Sequence, residues 1–148
     1  MGRGLSHLQK QILNIVYERR QGREFDQEER EWRELAPSIP PLQRFPYGVK
    51  YDMRHPEIIA IVYDWPIWSN KERRYLRPSE GASVNEGRHN WHRDVIGVAK
   101  YNSKTVAYYR AVSRLKVRGL LTGHDSGLWI TDEGMRVAEA LVGARGAR

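Results

Sequence analysis

The stretch from Asn102 to Val142 constrains the fold most, because it sets a long basic helix, a tight hairpin and a capped helix in succession. The spacing predicts a first helix over Ser103 to Arg118, in which Val106, Ala111 or Val112, and Leu115 return every three or four residues as one apolar stripe. Gly119 follows where a left-handed residue ends a helix. Leu120 to Thr122 and Leu128 to Thr131 read as two short strands around a turn bounded by Gly123 and Gly127. Thr131 is then placed as the N-cap of a second helix, with Asp132 and Glu133 in its first turn and Met135, Val137, Ala138, Leu141 and Val142 as its apolar positions.

Arg114, Leu115, Arg118, Gly119, Leu120 and Leu121, followed by Thr131, Asp132, Glu133 and Gly134, match a pattern in which a helix ends Arg-Leu-x-x-Arg-Gly-Leu-Leu and a strand runs into Thr-x-x-Gly. In this the chain resembles the C-terminal half of winged helix-turn-helix domains, MarR-like prokaryotic and phage-type transcriptional regulators among them. The resemblance covers about forty residues strongly and the rest weakly. It implies a mainly α-helical α+β fold with a short β-hairpin wing, and a recognition helix that enters the major groove of double-stranded DNA. A homodimer on a twofold operator is the arrangement that commonly accompanies it.

Charge points the same way. From Val95 to His124 there is no acidic residue, while Lys100, Lys104, Arg110, Arg114, Lys116 and Arg118 fall within that run. A solvated helix face usually mixes both signs, so a run of one sign calls for a polyanionic partner. The net charge of +7 agrees, without choosing among DNA, RNA and an acidic membrane surface. On the recognition helix, Arg110 and Arg114 suit bidentate pairing with guanine, and Ser103 and Lys104 suit phosphate at the helix start. Thr105, Tyr109 and Ser113 share the presented side, and Lys116, Arg118 and His124 suit the flanking backbone. Tyr108 and Tyr109 cannot be equally buried.

The chain is sized for one domain of 148 residues. The absence of cysteine excludes disulfides, thiol catalysis and thiolate metal sites. No apolar run approaches the ~20 residues that a spanning helix needs, and the start lacks a signal-peptide core, so a cytoplasmic, nucleoid-associated protein is expected. No phosphate-binding loop follows a strand and no nucleophile has a base beside it, so neither an enzyme nor a cofactor is expected. His89 and His92 with Asp94 lack a further ligand at metal-binding spacing, and His7 and His55 read as ordinary helix-end residues.

Upstream, Leu8, Ile12, Leu13, Ile15 and Val16 predict a helix from Ser6 to Arg20 that Ser6 and Gln9 cap reciprocally and Gly22 ends. Phe25, Trp32 and Leu35 predict an amphipathic piece at 26–36 with a charged face that is solvated or meets a partner protein. Prolines make 37–49 an extended connection. A helix opening at Pro56 carries Ile58, Ile59, Ile61, Val62 and Tyr63, with a buried strand as the alternative for so short an apolar run. Residues 69–90, with Lys71, Arg73, Arg74 and Arg77, read as a long exposed inserted loop that could order on DNA or protein. Trp65, Trp68 and Trp91 dock its ends, the alternative being stacking on unpaired bases. Val95, Ile96, Val98 and Ala99 form a further short helical segment that Asn102 and Ser103 interrupt. The helix supporting the recognition helix is then the one at Pro56 or this segment, and the short interval from Ala99 to Val106 favours the former. The tail 143–148 reads as flexible and basic. A module for protein contact, and a non-specific nucleic-acid binder in replication or packaging, are the competing functions.

Overall fold

The computed structural model describes residues 4–21, 52–84, 89, 91, 95–124 and 127–146. The expected amphipathic piece at 26–36 and the connection 37–49 lie outside these residues. Helix α1, His7–Gln21, opens on the predicted reciprocal cap: the Gln9 N–H donates to Ser6 Oγ at 3.2 Å, and the Ser6 N–H to Gln9 Oε1 at 3.1 Å. Its buried face, Ile12, Leu13 and Val16, lies at the centre of the fold, where α1 meets every other helix and the central strand.

A two-residue strand β1, Met53–Arg54, runs directly into helix α2, His55–Tyr63. Pro56 fits the first turn, where a missing N–H costs nothing, and Glu57 there suits the helix dipole. The apolar run at Ile58 is therefore helical, not a strand. Asp64, in the left-handed conformation at φ 51°, ends α2.

Residues 67–76 depart from the expected irregular loop. Strands β2, Ile67–Ser69, and β3, Arg74–Leu76, form an antiparallel hairpin, followed by a 3-10 turn at Pro78–Glu80. Three-residue strands are too short to show an alternating pattern, which is why this hairpin was not evident from periodicity. Ile67 faces Leu76 and both are buried, while Trp68 pairs with Tyr75 across the strands with ring centroids 5.2 Å apart. The base is tied to the end of α2: the Arg77 guanidinium donates to the Asp64 carbonyl at 2.7 Å, and the Ser79 N–H and hydroxyl donate to the Asp64 carboxylate at 2.8 and 2.5 Å. Trp65 and Trp91 are buried and pack on each other at 5.3 Å, so two of the three tryptophans hold the insertion's ends as expected. Trp68 is half-buried on the hairpin instead.

Helix α3 runs from Val98 to Val117, five residues longer at its start than predicted. Ser103 is not its cap. Gly97, at φ 92°, marks the boundary, and the short segment expected before Asn102 is partly the first turn of α3 itself. Asn102 and Ser103 resemble a cap in sequence but lie exposed within the helix. Among the described residues, the α-helix preceding α3 is thus α2. At the other end, Gly119 at φ 74° closes α3: its N–H donates to the Lys116 carbonyl and that of Leu120 to the Leu115 carbonyl, the paired bonds of a Schellman motif.

Strands β4, Leu121–His124, and β5, Gly127–Ile130, form the second hairpin. With β1 they make a three-stranded antiparallel sheet in the order β1-β5-β4, in which Met53 pairs with Leu128 and Leu121 with Ile130. All four residues of β5 are buried. Asp52, itself buried, accepts the Ile130 N–H on Oδ2 at 2.9 Å and so extends the β1–β5 pairing with a side chain. Thr131 is the predicted N-cap of helix α4, Asp132–Gly146: its hydroxyl accepts the Gly134 N–H at 2.9 Å and shares its proton between the Gly119 and Leu120 carbonyls. Ala138 is buried on α4, but Val142 is 44% exposed. Because α4 continues to Gly146, most of the expected flexible tail is helical, consistent with the good helix propensity of Ala144 and Arg145. Among the described residues the protein is a mixed α+β fold of four helices and two small antiparallel sheets, and no helix is long and apolar enough to cross a membrane.

Candidate nucleic-acid interface

The faces of α3 follow from a helix turning ~100° per residue. Tyr108, Ala111, Val112 and Leu115 are buried against the core. The opposite side carries Asn102, Ser103, Val106, Arg110, Ser113, Arg114 and Val117, all exposed. Val106 was expected in the apolar stripe. It lies nearly opposite Tyr108 and is 50% exposed, because the stripe follows Tyr108, Val112 and Leu115 and the alternative phase would have turned Tyr108 outward.

Of the residues expected to bind DNA, Ser103, Arg110, Ser113 and Arg114 fall together on this outward side. The others are placed differently. Lys104 is exposed on the flank next to α2, its ammonium 5.6 Å from the Tyr63 ring centroid, while the Tyr63 hydroxyl donates to the Lys104 carbonyl at 2.9 Å. Thr105 is half-buried, and its hydroxyl bonds back to the carbonyls of Tyr101 and Asn102. That back-bonding uses its only proton within the helix. Lys116 is half-buried and Arg118 exposed at the helix end, where positive charge also complements the helix dipole. His124 is the last residue of β4.

The two tyrosines divide as the helical period requires. Tyr108 is fully buried, and its hydroxyl lies 2.8 Å from Nδ1 of the buried His55 at the start of α2. Burial pushes the Tyr108 phenol far above its ordinary value, so the hydroxyl stays protonated. Tyr109 is 46% exposed and sets its ring edge-on to His55 at 5.3 Å. His55, read from sequence as an ordinary helix-end residue, thus joins α3 to α2 at a buried contact, beside the Tyr63–Lys104 bond. An Arg19–Glu57 ion pair at 3.1 Å fixes α1 to α2 behind it.

The outward face offers donors without acceptors of opposite charge: no carboxylate lies on α3, and guanidinium and hydroxyl groups alternate with two valines. Such a surface presents positive charge and hydrogen-bond donors to its surroundings. A cleft of about 440 Å³ lies elsewhere, between the β2–β3 hairpin and residues 81–83. Among the described residues there is no group of three or more His, Asp or Glu side chains placed to hold a metal ion. Sequence reasoning missed Asn102 and Val106, because one resembled a cap and the other a core position; counting the apolar stripe from Tyr108 would have found both. Compared with known proteins, the chain matches no protein-family model, no curated protein and no solved structure.

Proposed function

We propose that this chain is a winged helix-turn-helix domain that binds double-stranded DNA sequence-specifically and regulates transcription. In this reading α3 is the recognition helix, α2 supports it, and the β4–β5 hairpin is the wing on the phosphate backbone. The element order α1-β1-α2-α3-β4-β5 and the sheet order β1-β5-β4 support the fold assignment. The β2–β3 hairpin is an insertion between the two helices of the motif. The observation that carries the function is the outward side of α3, where Ser103, Arg110, Ser113 and Arg114 are exposed together on a helix with no acidic residue. An α-helix fits the B-DNA major groove, where arginine pairs with guanine and short hydroxyl side chains reach phosphate or base edges. The reading implies an enzyme-free, cofactor-free role in the cytoplasm, on the nucleoid, and a homodimer wherever the target is a palindrome.

One observation favours a second reading. Val98 and Val117, near the two ends of α3, are more than half exposed, which suits protein contact. Selection of bound duplexes from a random pool at roughly physiological salt, ~0.15 M, tests the two. An enriched motif supports the DNA reading, and its symmetry gives the oligomeric state. Duplex binding without a motif leaves a phosphate-only binder, and no duplex binding leaves the protein-contact module.

A further inference from the structure

Val106 is an anomaly on α3. Valine is a poorer helix former than alanine or lysine, and a half-exposed valine recovers little of that deficit by packing. Its neighbours one turn away are Asn102, Ser103, Tyr109 and Arg110, so its methyl groups form a single apolar point in a polar surface and not part of a broad greasy patch. Protein-docking patches are contiguous over several hundred Å². The Tyr109 ring beside it is already engaged with His55 and Tyr108.

Asn102, Val106 and Arg110 follow one another at four-residue steps along the outward side. Each step rises about 6 Å along the helix axis. Stacked base pairs repeat at about 3.4 Å, so each side chain meets a position about two base pairs from the last. The chemistry of the three differs. Asparagine pairs bidentately with adenine N6 and N7, arginine with guanine O6 and N7, and an apolar side chain has one favourable target in the major groove, the 5-methyl group of thymine.

We infer that Val106 is a specificity-determining residue that reads a thymine methyl group in the major groove, between an adenine read by Asn102 and a guanine read by Arg110. The inference rests on the DNA-binding reading above and adds to it a base identity at a position where no hydrogen bond is made. The order along the helix also sets the order along the site: the thymine contact lies between the other two, about two base pairs from each.

The test uses the full chain and the duplexes enriched in the selection. Each thymine is replaced in turn by deoxyuridine, which removes only the 5-methyl group. For the wild-type protein one replacement weakens binding by about fourfold, equivalent to the ~0.8 kcal/mol of one buried carbon group. The same replacement has no effect on Val106→Ala, and regains its effect on Val106→Thr, which keeps one γ-methyl. Val106 is half exposed, so both variants retain the fold, which circular dichroism checks. An enriched motif in which every deoxyuridine acts equally on wild type and Val106→Ala overturns this inference and leaves DNA recognition standing. Failure of the selection to enrich any motif overturns both. A change in sedimentation from dimer to monomer in Val106→Ala, with duplex affinity per site unchanged, assigns the valine to a protein interface and overturns the inference alone.

Discussion

The hydroxyl of Tyr108, from the middle of α3, lies 2.8 Å from Nδ1 of His55 at the first residue of α2, and both side chains are buried. This bond fixes how far α3 is rolled about its axis, and so which residues it turns outward. Tyr108→Phe keeps the ring and removes only the hydroxyl. It should lower unfolding stability in urea by about 1–3 kcal/mol, the cost of a buried polar group losing its partner. Helix content by circular dichroism should stay unchanged. A variant as stable as the parent would show that the bond does not hold the two helices in register.

Gly134 has no room for a side chain. A Cβ there would stand 2.1 Å from the Leu120 carbonyl oxygen and 2.8 Å from Ile130 Cγ1. The first turn of α4 therefore seats directly on the exit from α3, where the Thr131 hydroxyl also bonds. Gly134→Ala should destabilise the fold by roughly 1–3 kcal/mol through forced displacement, read as a lower thermal midpoint. Gly143→Ala provides the control, since nothing lies within 4 Å of a Cβ there.

Arg110 and Arg118 should differ in kind as DNA contacts. Arg110 sits in the middle of the outward side, and Arg118 at the end of the helix. Arg110→Ala should relax preference at one position of the target and cost about 1–3 kcal/mol there. Arg118→Ala should weaken every duplex alike and reduce the slope of log affinity against log salt by about one. Binding titrations on matched and mismatched duplexes at several salt concentrations separate the two. Equal losses on all sequences for Arg110→Ala would remove it from base reading.

Asp64 titrates below its ordinary carboxyl value, first because the Ser79 hydroxyl bonds its charged form, with the Ser79 N–H and the Arg77 guanidinium adding to this. A carboxyl depressed in the folded state contributes stability above its unfolded value of about 3.9, and loses that contribution as pH falls through the folded value. The group is only partly buried, so the contribution is small, and the direct readout is its titration by NMR. Ser79→Ala should move the Asp64 midpoint upward toward the ordinary value. An unchanged midpoint would assign the depression to the Ser79 N–H and Arg77 instead.

Sequence patterns were most informative where local chemistry decides structure. The Ser6–Gln9 cap, the Pro56 helix start, the Gly119 stop and the Thr131 cap are each set by residues within one turn, and all four are present. Errors arose where two local signals competed. Asn102 and Ser103 have capping chemistry, yet Gly97 takes an extended positive-φ conformation, φ 92° and ψ 140°, that glycine alone adopts readily, so α3 begins after it. Val106 fits an apolar period as well as Tyr108 does, and only burial of the larger ring settles the phase. Strand β1 has two residues and pairs with β5 far along the chain, so no periodicity announces it. Among the expected contact residues, the exposed arginines and serines followed directly from the helix, whereas the flanking positions of Lys104 and Thr105 depended on where α2 packs.

Strand β1 and strand β5 together act as a clasp. The chain leaves the sheet at Arg54 and re-enters it at Leu121 in β4, and the β5 strand that follows lies beside β1 with Gly127 directly opposite Arg54. Once a segment's two ends are fastened, lengthening it costs only about 0.6 kcal/mol of closure entropy per doubling. The hairpin carried between α2 and α3 is thus a near-neutral addition to the framework. Evolution can lengthen, shorten or recharge it while the clasp keeps α3 at one angle to the sheet, so the surface beside α3 can change without redesign of the core.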